Sequence, residues 1–193
     1  MNNTHSASVR RNIFAESFDT LKSAKTIVIT AMLIAITIVL DQPFLSLRFG
    51  NGLKLNFIFV PVMLCASFYG PVVCAAMCVI GDVMGVILSG QAVLPQLIIV
   101  EIVRGVLMGC IMFRRRPTLA RIVAAQSAAN LFVNMCLNTA MLIWAGYLSA
   151  QNVFLSVGTR VLKNIAFLPI EIIILFLLLN SLFKAMEKNR LKP

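Results

Sequence analysis

Residues 55–88 read LNFIFVPVMLCASFYGPVVCAAMCVIGDVMGVIL, an apolar run with one charged residue, Asp82. A helix needs about 20 apolar residues to cross the hydrocarbon core of a bilayer. The run is longer than one crossing, and Gly70-Pro71 in its middle is turn chemistry. It therefore reads as two spans joined by a tight turn, about Leu55 to Tyr69 with a kink at Pro61, then Pro71 to about Leu88.

The rest of the chain repeats this pattern. A first span runs from about Thr26 to Leu40, followed by a polar connection, Asp41 to Lys54, that holds Pro43, Gly50, Asn51 and Gly52. Pro95 opens a fourth span ending near Phe113, where Arg114-Arg115-Arg116-Pro117 stops it abruptly. A fifth covers about Leu119 to Tyr147 and a sixth about Val157 to Phe183. The expected fold is an all-α integral membrane protein of six transmembrane helices. Residues 1–24 form a cytoplasmic or interfacial tail, 25–184 the membrane domain and 185–193 a basic cytoplasmic tail. Within the first tail, Ile13, Phe14, Phe18 and Leu21 recur at helical spacing among charges, as in a helix lying on the membrane surface.

Composition agrees. Of 193 residues, 60% are hydrophobic and 12% charged, too few charges to solvate a water-soluble domain of that size. The net charge of +10 is not a nucleic-acid signal, because its cations cluster beside apolar runs. Arg10, Arg11, Lys22, Lys25, Arg114, Arg115, Arg116, Arg121, Lys184, Lys188, Arg190 and Lys192 fall on one side of the six spans. The loops of the other side hold only Arg48 and Lys54. Positive charge is retained on the cytoplasmic side, so both ends are expected in the cytoplasm of a prokaryotic cell membrane. Arg48 and Lys54 work against that bias, and either lipid headgroups or an anionic ligand would account for them.

Ionisable residues inside a span are costly and need a partner or a function. Asp82, Glu101, Arg104, Arg160, Lys163 and Glu171 qualify. Asp82, Arg104 and Glu171 are candidates for structural ion pairs, with Asp82–Arg104 the expected pair. Gln96, Arg160 and Lys163 lie shallow from the outer side, Glu101 and Asn164 deeper, Arg104 and Glu171 deeper still. Gln126, Asn130, Asn134 and Asn138 fall at i, i+4 spacing along one helix face. The inner two suit hydrogen bonding between helices; the outer two sit level with the polar part of the sixth span and suit a ligand.

No metal or cofactor site and no catalytic constellation is visible. The five cysteines all lie in apolar segments, and Cys74 and Cys78, one turn apart, read as small packing residues. Gly81-Asp82-Val83-Met84-Gly85 is inside a span and is not a dinucleotide fingerprint. The chain is not expected to be an enzyme.

Several ordered blocks bear a resemblance to a known family. They are Ala31-xxx-Ala35, Leu55 to Pro61 with Phe68-Tyr69-Gly70-Pro71, Gly81-Asp82-xx-Gly85, and Arg104-Gly105-xxx-Gly109. Further on come Leu137-Asn138-Thr139 and Arg160-Val161-Leu162-Lys163-Asn164 leading into Leu168-Pro169-Ile170-Glu171. From about Lys25 to Leu182 the chain resembles the folate family of substrate-binding (S) components of energy-coupling factor vitamin transporters. The resemblance implies a compact six-helix bundle with a vitamin pocket near the outer surface, beneath the loops after the first, third and fifth helices. It implies a membrane-embedded coupling subunit and two cytoplasmic ATPases as partners, with ATP hydrolysed by the latter. It also places Ala31 and Ala35 against the coupling subunit. For a folate-like ligand, Asn134, Asn138, Asn164 and Glu101 would read the flat ring. Arg160, Lys163, Arg48 and Lys54 would take the carboxylate tail, arginine in bidentate fashion, and Gln96 and Arg104 complete the candidate set. Glu101 departs from the folate pattern, which has a small or apolar residue there; an acid at that place either compensates Arg104 or reads a donor edge. Pantothenate, a smaller anion, fits the same cations, whereas thiamine would want an acidic outer pocket that the sequence does not reveal. A membrane assembly or morphogenesis protein without a small ligand would share the spans but not the polar residues.

Overall fold

In a computed structural model, the residues described are 13–42, 47–49, 53–55, 57–90, 92–115, 117–144, 146, 158 and 167–184. Helix α1 is Ile13–Leu21 and α2 is Ala24–Asp41. A two-stranded antiparallel hairpin follows, β1 Leu47–Phe49 and β2 Leu53–Leu55, with Arg48 opposite Lys54 in its register. Then come α3, Phe59–Leu88, and α4, Pro95–Met112. Helix α5, Leu119–Ala128, passes through a π-helical stretch, Ala129–Leu137, into α6, Asn138–Trp144. The last described helix, α7, is Phe167–Lys184.

Helix α3 is not one rod. Gly70 has φ 85° and ψ −172°, a conformation open to glycine and strained for residues with a Cβ. The Cys74 thiol lies 3.6 Å from the Val62 carbonyl. Twelve residues of unbroken helix would separate these positions by about 18 Å at 1.5 Å per residue. The chain therefore doubles back at Gly70, as Gly70-Pro71 predicts. Counting the two limbs of α3 separately, the described residues form six long helical segments: α2, the limbs of α3, α4, the α5–α6 rod and α7.

Glycines set how closely these segments pack. A Cβ on Gly105 would fall 2.4 Å from the Ala75 Cα, and one on Gly109 would fall 2.3 Å from the Pro71 Cα. Partner numbers fall as α4 numbers rise, so α4 is antiparallel to the second limb of α3. Helix α2 faces the same limb through Thr37–Gly81 and Asp41–Gly85, where both numbers rise, so these two run parallel. Between them lies a core of flexible and small side chains, with Met63, Met77, Met112, Cys65, Cys74 and Cys78 all buried. Free cysteines here pack as small apolar groups.

The opposite faces are apolar and exposed. Ile27, Val28, Met32, Ile36 and Val39 on α2, and Ile173 and Leu177 on α7, each expose about half of their surface or more. Among the described residues five helices, counting α3 and the α5–α6 rod once each, are long and apolar enough to cross a bilayer. Helices covered with exposed aliphatic side chains are stable where lipid replaces water.

One end of the bundle gathers the basic residues. Lys25 starts α2, Arg114 and Arg115 follow α4, Arg121 is in the first turn of α5 and Lys184 closes α7. At that end Phe183 stacks on Phe68, with ring centroids 5.3 Å apart. There too α1 lies across the Gly70 turn, with Ser17 fully buried while Phe14 and Phe18 remain about half exposed.

Candidate functional site

At the opposite end, where α2 finishes and both α3 and α4 begin, the described residues enclose a cavity of about 240 Å³. Its polar lining is Thr37 and Asp41 from α2, Asp82 from α3, Glu101 and Arg104 from α4, and Asn138 from α6. Ile58, Val62, Cys78 and Val100 make its apolar walls. The helix directions explain this convergence. Thr37 and Asp41 are one turn apart on α2, and the parallel limb of α3 sets Gly81 and Gly85 against them. Glycine at position 81 leaves room beside Asp82, while antiparallel α4 brings Glu101 and Arg104 to the same level.

Arg104 organises the wall. Its Nη1 donates to Glu101 at 2.9 Å and its Nη2 donates to Asn134 Oδ1 at 2.7 Å. Glu101 and Arg104 are three residues apart, the spacing at which helix neighbours meet. The ion pair therefore forms within α4, not with Asp82, the expected partner. Among the described residues Asp82 makes no salt bridge; it lines the cavity within reach of the Arg104 charge. The acid at position 101 thus compensates Arg104.

The amide stripe divides at Asn134. Asn138 lines the cavity, while Asn134 stands behind Arg104 and donates through Nδ2 to Asn130 Oδ1 at 3.0 Å. Asn130 Nδ2 and Gln126 Nε2 both donate to Glu171 Oε2, at 3.0 and 2.7 Å. Among the described residues Glu171 is joined to these two amides and makes no salt bridge. The sequence pattern shows the stripe; it does not show that Asn130 and Asn134 sit on a π-helical stretch, since no residue type marks one.

Other candidates lie elsewhere. Gln96 is half-buried and is not part of the lining, to which its neighbour Leu97 contributes; Gln96 Oε1 has no hydrogen-bond partner among the described residues. Arg48 and Lys54 are described only as opposed backbone positions in the β-hairpin. Arg160, Lys163 and Asn164 lie outside the described residues. Asp41 and Thr37 were missed as candidates, because Asp41 reads as the start of a polar loop and is in fact the last residue of α2. With Asp82 and Glu101, Asp41 makes the described lining more acidic than the sequence reading anticipates.

The described helices thus form an apolar-faced bundle with a polar cavity at one end, built from residues of separate helices. Residues 25–186 match the family "ECF transporter, substrate-specific component", and the chain belongs to that family. It is similar to the folate transporter FolT of Clostridium novyi (strain NT), 24% identical over 157 residues that make up 81% of this chain and 88% of that protein. Among solved structures it is similar to a crystal structure of FolT bound with folic acid, with a TM-score of 0.71 and 23% identity, over 82% of this chain and 95% of that one. That structural likeness establishes the shared fold, an S-component bundle.

Proposed function

We propose that this S component binds folate, or a close relative of folate, in the cavity lined by Asp82, Glu101, Arg104 and Asn138 and releases it to the cell interior. The observation that carries this reading is the polar lining itself. Folate offers a flat ring whose edge has both N–H donors and acceptors, and a tail with two carboxylates. Asp41, Asp82 and Asn138 supply acceptors, and Arg104 and Asn138 supply donors, within an apolar slot of the kind that grips a ring. Pantothenate has no flat donor edge to match an acidic lining, which favours folate over it. Glu101 acts on the ring only through Arg104.

The tail needs cations. Arg48 and Lys54 hold opposed backbone positions in the hairpin, two cations at one place in the chain, which supports a role in holding the tail, together with Arg160 and Lys163. Asn134 and Gln96 are supporting residues in this reading, and Asn164 contributes to the ring side.

The basic end of the bundle faces the cytoplasm by the positive-inside bias, which puts six crossings between cytoplasmic termini and opens the cavity outward in a prokaryotic cell membrane. Energy comes from partners, a coupling subunit in the membrane and two cytoplasmic ATPases. Ala31 and Ala35 lie exposed on α2, on the lipid side, where small residues permit close approach of another helix.

Purified protein in detergent, titrated with folate and 5-formylfolate while the fluorescence of Trp144 is followed, tests the ligand. Saturable quenching at micromolar concentration or below is expected, with none for pantothenate. Binding of thiamine or pantothenate but not folate would sink the reading.

A further inference from the structure

We propose that α1 binds anionic lipid at the basic end of the bundle. Phe14 and Phe18 enter the boundary between headgroups and acyl chains, Lys22 and Lys25 hold the headgroups, and Ser17 passes that hold to the Gly70 turn. A helix of nine residues is too short to persist alone, so its contacts must keep it in place. At about 100° per residue those contacts separate by side. Ser17 faces the turn of α3 and is fully buried there. Glu16 and Thr20, one turn apart, form one flank, and Glu16 pairs with Arg114. Phe14 and Phe18, also one turn apart, form the other flank and are 49% and 54% exposed.

Depth makes lipid the cover for that flank. The exposed aliphatic face of α2 begins at Ile27 and Val28, just after the exposed Lys25. The acyl layer therefore starts within about one turn of Lys25, and α1, which ends at Leu21, lies level with the headgroups. A helix in that layer buries an aromatic flank and keeps charged groups toward water.

Charge selects the lipid. Among the described residues this end carries six cations, Lys22, Lys25, Arg114, Arg115, Arg121 and Lys184, against two acids, Glu16 and Asp19. Lys22 Nζ stands 5.6 Å from the centroid of the Phe18 ring. It bonds Asp19 at 3.0 Å and still exposes 68% of its side chain. Ring and ammonium thus share one depth, the ring toward the acyl chains and the charge toward phosphate. Each basic side chain near an anionic surface is worth about fivefold in association. A zwitterionic lipid carries its own cation and satisfies chiefly the rings.

Ser17 lies between the two phenylalanines in sequence, so α1 cannot shift them without moving its hydroxyl. That oxygen is 2.7 Å from the Tyr69 carbonyl and 3.1 Å from the Val72 nitrogen. A Cβ on Gly70 would fall 2.9 Å from Ser17, a contact too close to allow sliding. Lipid that anchors the phenylalanines therefore also fixes Ser17 over the turn.

The test uses the intact chain in phosphatidylcholine vesicles with or without phosphatidylglycerol. The chain has one tryptophan, so Phe18→Trp in a Trp144→Phe background puts the sole indole on the flank. Brominated lipid is expected to quench it, at least about twofold more strongly on phosphatidylglycerol than on phosphatidylcholine at equal content. Lys22→Gln/Lys25→Gln is expected to remove that difference and keep the quenching. Phosphatidylglycerol is expected to raise Tm in the original chain, and to raise it by about half as much or less in Ser17→Ala, where the link to the turn is broken. Emission that ignores brominated lipid overturns the lipid assignment. Emission that changes only when a coupling subunit is added overturns it in favour of a protein partner. Equal quenching by the two brominated lipids overturns the selectivity for anionic headgroups, and an undiminished Tm rise in Ser17→Ala overturns the link to the turn.

Discussion

The Ser17 hydroxyl donates to the Tyr69 carbonyl at 2.7 Å, and the same oxygen accepts from the Val72 N–H at 3.1 Å and lies 3.4 Å from that of Val73. Where α3 reverses at Gly70, the first limb ends with a free carbonyl and the second begins with free N–H groups. One side chain from α1 serves both, so a surface helix becomes part of the bundle's turn.

Ser17→Ala is therefore expected to destabilise the protein by about 1–3 kcal/mol, the cost of buried backbone groups left without partners. Thr20 Oγ1, 3.4 Å from the Tyr69 carbonyl, replaces the donor weakly and leaves the N–H groups unserved. The Glu16–Arg114 ion pair ties down the same helix. Arg114 is mostly exposed there, so Glu16→Gln is expected to cost only about 0–1 kcal/mol. Thermal unfolding in detergent compares the two; a larger loss for Glu16→Gln would contradict the capping role of Ser17.

Gly109→Ala and Gly105→Ala are expected to separate α4 from the second limb of α3. A Cβ at 2.3 or 2.4 Å from backbone atoms cannot be absorbed by a rotamer change, so the helices must move apart at a cost of at least about 1–3 kcal/mol. Gly81→Ala is the contrast, since its Cβ would meet the Thr37 Cγ2 at 3.4 Å, ordinary contact. Tm should fall clearly for the first two and little for the third.

These features differ in how far the sequence reveals them. Gly70-Pro71, Pro95 and the Arg114–Arg116 run mark boundaries by local chemistry, so the helical segments are legible within a few residues. Helix α1 is legible from Ile13, Phe14 and Phe18, but its buried contact is not, because a lone serine among them carries no sign of a partner 52 positions away. The strands β1 and β2 are three residues each, too short for alternation to stand out in the connection after α2. Asp82 illustrates the limit for the site. Any of several cations can pair with a buried acid until the helices are docked, and the nearest acid to Arg104 proves to be Glu101, three residues away on the same helix. That spacing was the available signal.

Arg104→Met is expected to be worse for stability than the double variant Arg104→Met/Glu101→Gln. Glu101 is buried and its salt bridge to Arg104 is 2.9 Å long. Removing one partner of a buried pair leaves an uncompensated charge, worth about 3–5 kcal/mol, while removing both charges is far milder. Restored Tm in the double variant is the expected result. A double variant no more stable than Arg104→Met would show that Glu101 is balanced by something other than Arg104.

Ala31→Trp and Ala35→Trp are expected to leave the isolated protein intact and to abolish transport. Both alanines are exposed, while α2 buries Thr26, Leu33 and Thr37 on its other face. A large side chain at either place therefore meets lipid and no atom of the core. The cavity is reached by α2 through Thr37 and Asp41, which the substitutions do not touch, so folate affinity in detergent should match that of the unaltered protein. In the proposed complex a helix from the coupling subunit would approach only as closely as the small side chains allow, and packing without a hydrophobic driving force depends on that closeness. Co-purification with tagged coupling subunits and uptake of labelled folate into proteoliposomes measure the loss. Weakened folate binding with normal complex assembly would move Ala31 and Ala35 from the partner surface to the ligand site.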